Sequence, residues 1–424
     1  MDNLYNRHEI ADEVYFTSIT DTKFKINRVS VLFITQLSKN AAVNAVIPRM
    51  LTKCNAKLDT MTKLNKRLAE LYSASLTFNV FPDGDNQIIE MSINVLNNRY
   101  ALNSEDILRD SAQILLDCIF DPYLEIGQFP AQSLELEKQN LMDDNDAEIN
   151  NKTQYAYLKA YEEAFRGEPA AVRAGGRNEE FAAVTVESAM EAYRRIISEM
   201  RTEIICVGES DFTGLDTIFA EAFGKISRRP EKYEKSAVSP AKKEPVRLTE
   251  TLSIEQCKLV MFMKTPLRKR YALMVMQSLY GGTESSKLFQ NVREKMSLCY
   301  YCYSRYGYAK GFLTTECGVD GNNLEKAEAE CLNQLEEIRK GHFTDDEVNK
   351  IKLFIINILK SSTDTVSGVT SKCMSGIMYP ENAVTIDEMI GNINAVTNED
   401  IIEAANSLVP DTVFILRSDK EAAE

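Results

Sequence analysis

Few residues in this 424-residue chain are equipped for chemistry, and the scarcest decide the most. There are two histidines, His8 and His342, in opposite halves. A zinc-binding H-E-x-x-H or H-x-x-E-H motif needs two histidines on one helical stretch, where they share a face. These two cannot form one. A Ser-His-Asp or Cys-His mechanism would have to recruit His8, near a chain end expected to be mobile, or His342. The latter lies between Gly341 and the helix start Thr344-Asp-Asp-Glu347 and reads as a loop residue. Neither makes a good general base.

The nine cysteines, Cys54, Cys118, Cys206, Cys257, Cys299, Cys302, Cys317, Cys331 and Cys373, follow no disulfide framework and read as reduced thiols. Cys299-Tyr-Tyr-Cys302 matches C-x-x-C, but it sits in an aromatic run expected to be a strand. Residues three apart on a strand face opposite sides. A structural zinc would need two more soft ligands from a second knuckle, and the sequence offers none. Asp143-Asp144-Asn145-Asp146 would favour Ca²⁺ or Mg²⁺ over zinc, lacks D-x-D-x-D-G spacing, and reads as a solvated acidic turn. Gly281-Gly282-Thr283 lacks the phosphate-binding G-x-x-x-x-G-K-[ST] pattern and reads as a turn between helices.

Composition narrows the function class. Lys plus Arg number 49 against 63 Asp plus Glu, a net charge of −14, which argues against non-specific nucleic-acid binding by phosphate neutralisation. No run approaches the roughly 20 apolar residues that span a bilayer. The opening MDNLYNRHEIADEV has no apolar stretch of the secretory kind, so a cytoplasmic protein without membrane association is expected.

Gly224 to Arg247 carries three prolines and eight Lys or Arg, and reads as a solvated linker dividing the chain nearly in half. The halves match one another. Leu64 in TKLNKRLAELYSASL aligns with Leu288 in SKLFQNVREKMSLCY, and Val95 with Val319, both at an offset of 224. Phe129 aligns with Phe343 at 214, and Val184-Thr185 with Val396-Thr397 at 212. Four matches in order, with a slowly drifting offset, indicate a duplication.

Within half one, Val29–Gln36 reads as a strand. A helix follows near Ala41–Lys53, with Pro48 suited only to its first turn or a kink. The next helix has Met61, Leu64, Leu68, Leu71 and Tyr72 on one face. Leu76–Phe81 and Gln87–Val95 read as a hairpin around Pro-Asp-Gly-Asp. Helices are expected near Glu105–Ile119, Ala131–Phe165 and Val186–Met200, then a strand at Thr202–Gly208. Thr344 to Glu347 forms a capping box before an apolar helix. The expected fold is α+β, with two homologous α/β-layered halves, each an antiparallel-rich sheet packed with helices: 1–224, linker 225–247, and 248–424.

Leu279–Tyr306, LYGGTESSKLFQNVREKMSLCYYCYSRY, resembles a segment of the insulinase/pitrilysin family of zinc peptidases. That family has a Gly-rich turn, a helix bearing Leu-Phe, then Arg-Glu-Lys, and a Tyr opening a strand. Here Arg293 and Tyr300 stand at R-x6-Y spacing. The resemblance covers essentially the whole chain and implies the half-shell of a clam-shell peptidase. It also exposes a departure. Catalytic members carry H-x-x-E-H on the first helix of half one and a Glu ligand on a later helix, in the region of Asp143–Asp146. The corresponding stretch here is Asn44-Ala-Val-Ile-Pro48, so Asn44, Ile47 and Pro48 stand at the two His and the Glu positions. No cofactor, and no catalytic zinc, is expected in this chain.

In two-chain members, resembling the mitochondrial processing peptidase, one subunit holds zinc and a homologous partner closes the chamber. The resemblance implies that this chain is the zinc-less, Arg/Tyr-bearing subunit. It would be required for peptide hydrolysis but inactive alone, with a zinc-bearing homologue and peptides or unfolded segments as partners. A guanidinium and a phenol are suitable donors to a developing oxyanion and to substrate carbonyls. Judged by spacing alone, Arg293 would instead be a solvent-facing charge paired with a carboxylate of a neighbouring element, on a helix whose core face is Leu288, Val292 and Met296. The alternative function is an inactive structural or peptide-binding protein of the same fold. Whether the isolated chain is a monomer or homodimer stays open.

Overall fold

The computed structural model describes residues 5–419. Its strands and helices follow the hydrophobic periodicity. Strands β1 (Asn6–Ala11), β2 (Val14–Thr20) and β3 (Ile26–Gln36) lead into α1 (Ala41–Leu51) and α2 (Met61–Glu70). Strands β4 (Ser75–Asp83) and β5 (Asn86–Leu96) form the expected hairpin. Helices α3 (Ile107–Phe120), α4 (Ala131–Glu148), α5 (Lys152–Ala164), α6 (Asn178–Ala182) and α7 (Val186–Glu199) precede β6 (Arg201–Gly208) and α8 (Leu215–Phe223).

The later part runs β7 (Val246–Leu252), β8 (Cys257–Lys264), α9 (Arg270–Gln277), β9 (Cys299–Gly307) and β10 (Phe312–Val319). Helices α10 (Leu324–Arg339), α11 (Asp345–Ser362), α12 (Val366–Met378), α13 (Ile386–Ala395) and α14 (Asn398–Asn406) follow, and β11 (Val409–Ser418) closes the chain. Two π-helical stretches, Ser278–Gly282 and Leu288–Lys295, lie between α9 and β9.

The duplication is visible in the sheets. One has the order β1-β2-β6-β3-β5-β4 and the other β7-β11-β8-β10-β9. Apart from the extra edge strand β1, they match strand for strand, including the parallel pairs β2/β6 and β7/β11 in otherwise antiparallel sheets. Each sheet buries one face under several helices. In the first, Val29, Val31, Ile89, Met91 and Ile204 pack with Val46, Leu64, Leu115 and Ile196. In the second, Leu259, Met261, Leu313 and Cys317 pack with Leu273, Leu335 and Ile351.

The compact units are not the two continuous halves of the sequence. One comprises residues 1–146, 172–235 and 362–384; the other comprises 147–171, 236–361 and 385–424. The single helix expected over Ala131–Phe165 is in fact two, and this break makes the exchange possible. Asn151 caps α5 by accepting the Gln154 amide at 3.1 Å, so the chain restarts its helix after Glu148 instead of continuing it. Ala156, Ala160, Ala164 and Phe165 then pack on Val260, Phe262 and Phe414 of the second sheet. Reciprocally, Thr370, Met374 and Met378 of α12 line a cavity with Leu32, Ile88 and Glu90 of the first sheet.

Smaller expectations shift as well. His8 lies in β1 opposite Phe16, with Nε2 3.3 Å from an Asp216 oxygen, and is not part of a mobile end. The linker is strapped down: Arg228 donates to the carbonyls of Asp12, Ile197 and Met200, and Ser239 is buried, with its amide donating to the Lys310 carbonyl. Its last two residues already belong to β7. Met61 is exposed, and Tyr72 lies beyond the end of α2 with φ 57°. The capping box at Thr344 forms as expected, with each of Thr344 and Glu347 accepting the other's amide.

Candidate functional site

Helix α1 forms because Ala41, Ala42, Ala45, Val46, Met50 and Leu51 drive its apolar sides into the core. Pro48 sits late in this helix, past the first turn that sequence allows it. Tertiary burial outweighs the local cost of its missing N–H. Asn44 and Ile47 are buried, and Asn44 is fully engaged. Its amide donates to Gln87 Oε1 at 2.9 Å, and Arg195 donates to its Oδ1 at 2.8 Å. Gln87 in turn donates to the carbonyls of Ala41 and Ala174.

This donor set does not fit zinc. Its one side-chain amide oxygen is taken by a guanidinium, Ile47 has no base, and Pro48 has no ligand atom. The acidic helix α4 is likewise occupied. Arg49, next to Pro48, lies 2.5 Å from Asp144 and 3.7 Å from the buried Glu137, and Lys53 reaches Glu137 at 3.1 Å. Side-chain cations neutralise the carboxylates facing α1. The acidic run, expected to be a solvated turn, is solvated but helical, and Asp144 is salt-bridged.

The segment after α9 is built differently. Gly281 is required by close approach: a Cβ there would come within 2.6 Å of Leu288 Cδ1 and 2.9 Å of the Ser304 amide. In the stretch 288–295 the i→i+5 turn is wider than an α-turn. Leu288 and Val292 stay buried, as expected, but the wider turn carries Met296 off the core face to 47% exposure. Arg293 projects from this stretch with its side chain 40% exposed. Its guanidinium lies over the ring of Phe289, 4.6 Å from the centroid, and 3.7 Å from the adjacent Glu294. Both partners are on its own helix. Arg293 lines a cavity of about 530 Å³ with Gly281, Phe289, Tyr301, Tyr303, Lys350 and Phe354.

Tyr300 is the second residue of β9 and 53% exposed. Its hydroxyl donates to Asp320 Oδ1 at 3.2 Å. The hydrogen bond to Asp320, and then its charge, raise the Tyr300 pKa, so the phenol keeps its proton at neutral pH. The residues lining the cavity beside Arg293 are its strand neighbours Tyr301 and Tyr303, not Tyr300 itself. Tyr301 bonds Thr153 at 3.1 Å, and Tyr303 donates to the buried Glu316 at 2.8 Å.

One reading from the sequence is overturned. Cys299 and Cys302 both point inward, because the β9/β10 register shifts by a bulge between Gly318 and Val319. Two further soft ligands are also present. Cys317 of β10 stands opposite Cys302, and Cys331 of α10 lies over both. No spacing rule could have found this pair; only the strand register and the helix placement bring them in.

The two sheets share one topology, and the first helix offers no zinc-ligating side chain at residues 44, 47 and 48. Residues 183–353 match the family model described as the peptidase M16 inactive domain. The chain is 27% identical over 410 residues to the probable inactive metalloprotease YmfF of Bacillus subtilis, covering 94% of this chain and 95% of that one. A crystal structure of a conserved protein from Enterococcus faecalis superposes with a TM-score of 0.92 at 27% identity, over 98% of this chain and 99% of that chain. A peptidase M16 inactive domain from Pseudomonas fluorescens shares the fold, with a TM-score of 0.81 at 15% identity over 98% of each chain. These likenesses support the resemblance to the insulinase/pitrilysin (M16) peptidases, in a chain whose sequence has no zinc motif.

Proposed function

We propose that the chain is the zinc-less subunit of a heterodimeric M16 metalloendopeptidase. It supplies Arg293 and Tyr300 to substrate and oxyanion at a hydrolytic centre carried by a homologous partner. The observation that carries this reading is the state of Arg293. It is half-exposed at a cavity able to take a side chain, and both of its contacts come from its own helix. A structural arginine would be expected to clamp a neighbouring element, as Arg195 does. Fixed donors of this kind lower the barrier of a step that develops negative charge, and closure of the partner would gate them.

The test is reconstitution with an H-x-x-E-H homologue from the same cell, reading peptide hydrolysis. The pair should turn over substrate and this chain alone should not. Arg293→Ala should cost the pair about 100- to 1,000-fold in rate. Unchanged turnover in both Arg293→Ala and Tyr300→Phe sinks the proposal.

A second reading, a peptide-binding or structural protein without a catalytic role, draws on Tyr300. Its hydroxyl is already committed to Asp320, while Tyr301 and Tyr303 line the cavity. On this reading peptide affinity survives in the isolated chain, and no zinc-bearing companion co-purifies. Placement in the cytoplasm belongs to both proposals. Among the described residues, no helix is long and apolar enough to cross a membrane.

A further inference from the structure

We infer that Cys302, Cys317 and Cys331, with Cys299 as a fourth donor, form a binding site for one soft divalent cation of the zinc type, distinct from any hydrolytic centre. The three thiols come from three elements: β9, β10 and α10. Their sulfurs lie 2.8 Å apart for Cys302–Cys317, 3.6 Å for Cys302–Cys331 and 3.6 Å for Cys317–Cys331. All three residues are at most 5% exposed. Cys299 is also inward, on the same strand as Cys302.

Geometry separates this cluster from ordinary packing of small apolar side chains. Zinc–thiolate bonds of about 2.3 Å in a tetrahedron place the sulfurs about 3.8 Å apart. Two edges of the observed triangle are within a few tenths of an ångström of that spacing. The third has to open by about 1 Å, within reach of small side-chain rotations. An all-sulfur donor set selects a soft or borderline cation over Ca²⁺ or Mg²⁺.

The surroundings fit a held ligand set. The Tyr280 hydroxyl donates to the Cys331 carbonyl at 3.0 Å and accepts from Thr315 at 3.1 Å, fixing the turn of α10 that carries Cys331. A disulfide between Cys302 and Cys317 would use two of these sulfurs and leave the other two unexplained. A cation uses all four and ties α10 to the β9–β10 pair, on whose first strand Tyr300 lies between two of the ligands.

The test uses the full chain, expressed with added zinc and purified anaerobically under reducing conditions. Elemental mass spectrometry should find about one zinc per chain. That content should fall at least tenfold in Cys317→Ser/Cys331→Ser and stay unchanged in Cys373→Ser, which alters a buried thiol of α12. Should the double variant fail to fold, the wild-type chain still decides. Refolded with cobalt alone, it should show thiolate-to-cobalt charge-transfer absorption and the intense ligand-field bands of a tetrahedral site. A folded chain that takes up neither metal, with all four thiols open to alkylation after unfolding, overturns the inference. So does peptide mapping of the reduced, anaerobic preparation that finds Cys302 joined to Cys317.

Discussion

Helix α1 and the segment 288–303, the two places that the resemblance to zinc peptidases singles out, are built in opposite ways. At α1 every polar group is spoken for. Arg195, Asn44 and Gln87 form a chain of hydrogen bonds, and Arg49 and Lys53 pair with Glu137 and Asp144 of α4. Around Arg293 the reverse holds. The guanidinium borders a cavity, its contacts are with Phe289 and Glu294 of its own helix, and the aromatic side chains beside it are in part exposed. Buried polar groups are costly unless paired, so a position without its metal must be refilled with partners. A surface group that waits for a ligand needs none.

The strongest way to break that contrast is to restore the motif. The variant Asn44→His, Ile47→Glu, Pro48→His should not bind zinc, because Arg49 and Lys53 already hold the α4 carboxylates. It should lose about 3 kcal/mol or more in urea unfolding, because residue 47 is 1% exposed and a carboxylate there is buried. Zinc uptake by a stable triple variant would show that α1 is poised for metal after all.

Next in size is Arg293→Ala, read for stability instead of rate. An exposed arginine with only local contacts should cost no more than about 0.5 kcal/mol in unfolding while abolishing most of the turnover of a reconstituted pair. A larger stability loss would make Arg293 structural, like its counterpart Arg195, which reaches from α7 to Asn44 of α1. Arg195→Met addresses that counterpart. It leaves Asn44 Oδ1 buried without its donor, and a loss of about 1–3 kcal/mol is expected.

The smallest effect concerns pH. Asp83, at the end of β4, accepts from Tyr379 at 2.9 Å, and burial raises its pKa above the usual carboxylate value. A raised carboxyl pKa means that the folded chain holds its proton more tightly than the unfolded chain. Asp83 therefore supports the fold most at acid pH, and that support declines as pH rises through the shifted value. Urea midpoints between about pH 4 and 6 should be less pH-dependent in Asp83→Asn than in wild type. An identical slope in the two proteins would leave Asp83 without a part in the acid response.

Much of this was legible in the order of residues. The hairpin β4/β5, the helices opened by Thr185 and Thr397, and the capping box at Thr344 are local, set by turn chemistry and caps within a few positions. The absence of H-x-x-E-H needs no structure either, since no fold can move a histidine that is not there. By contrast, the break at Ile149–Asn151 hid inside a run with helical propensity, and Pro48 looked like a helix boundary. At α5 the Asn151 cap restarts the helix, and at Pro48 packing overrode a local preference worth about 3 kcal/mol.

The sequence by itself determined the family resemblance, the duplication and the missing metal motif, because these depend on residue identity and on near-neighbour spacing. Only the tertiary structure decided that α5 and α12 exchange between the units, that Arg49 and Lys53 pair with Glu137 and Asp144 of α4, and that Cys302, Cys317 and Cys331 meet. Those outcomes rest on strand register and helix docking between residues 14 or more positions apart, as for Cys317 and Cys331. A one-residue bulge in β9/β10 is enough to turn Cys299 to the same side as Cys302, and no pattern along the chain encodes where a bulge will fall.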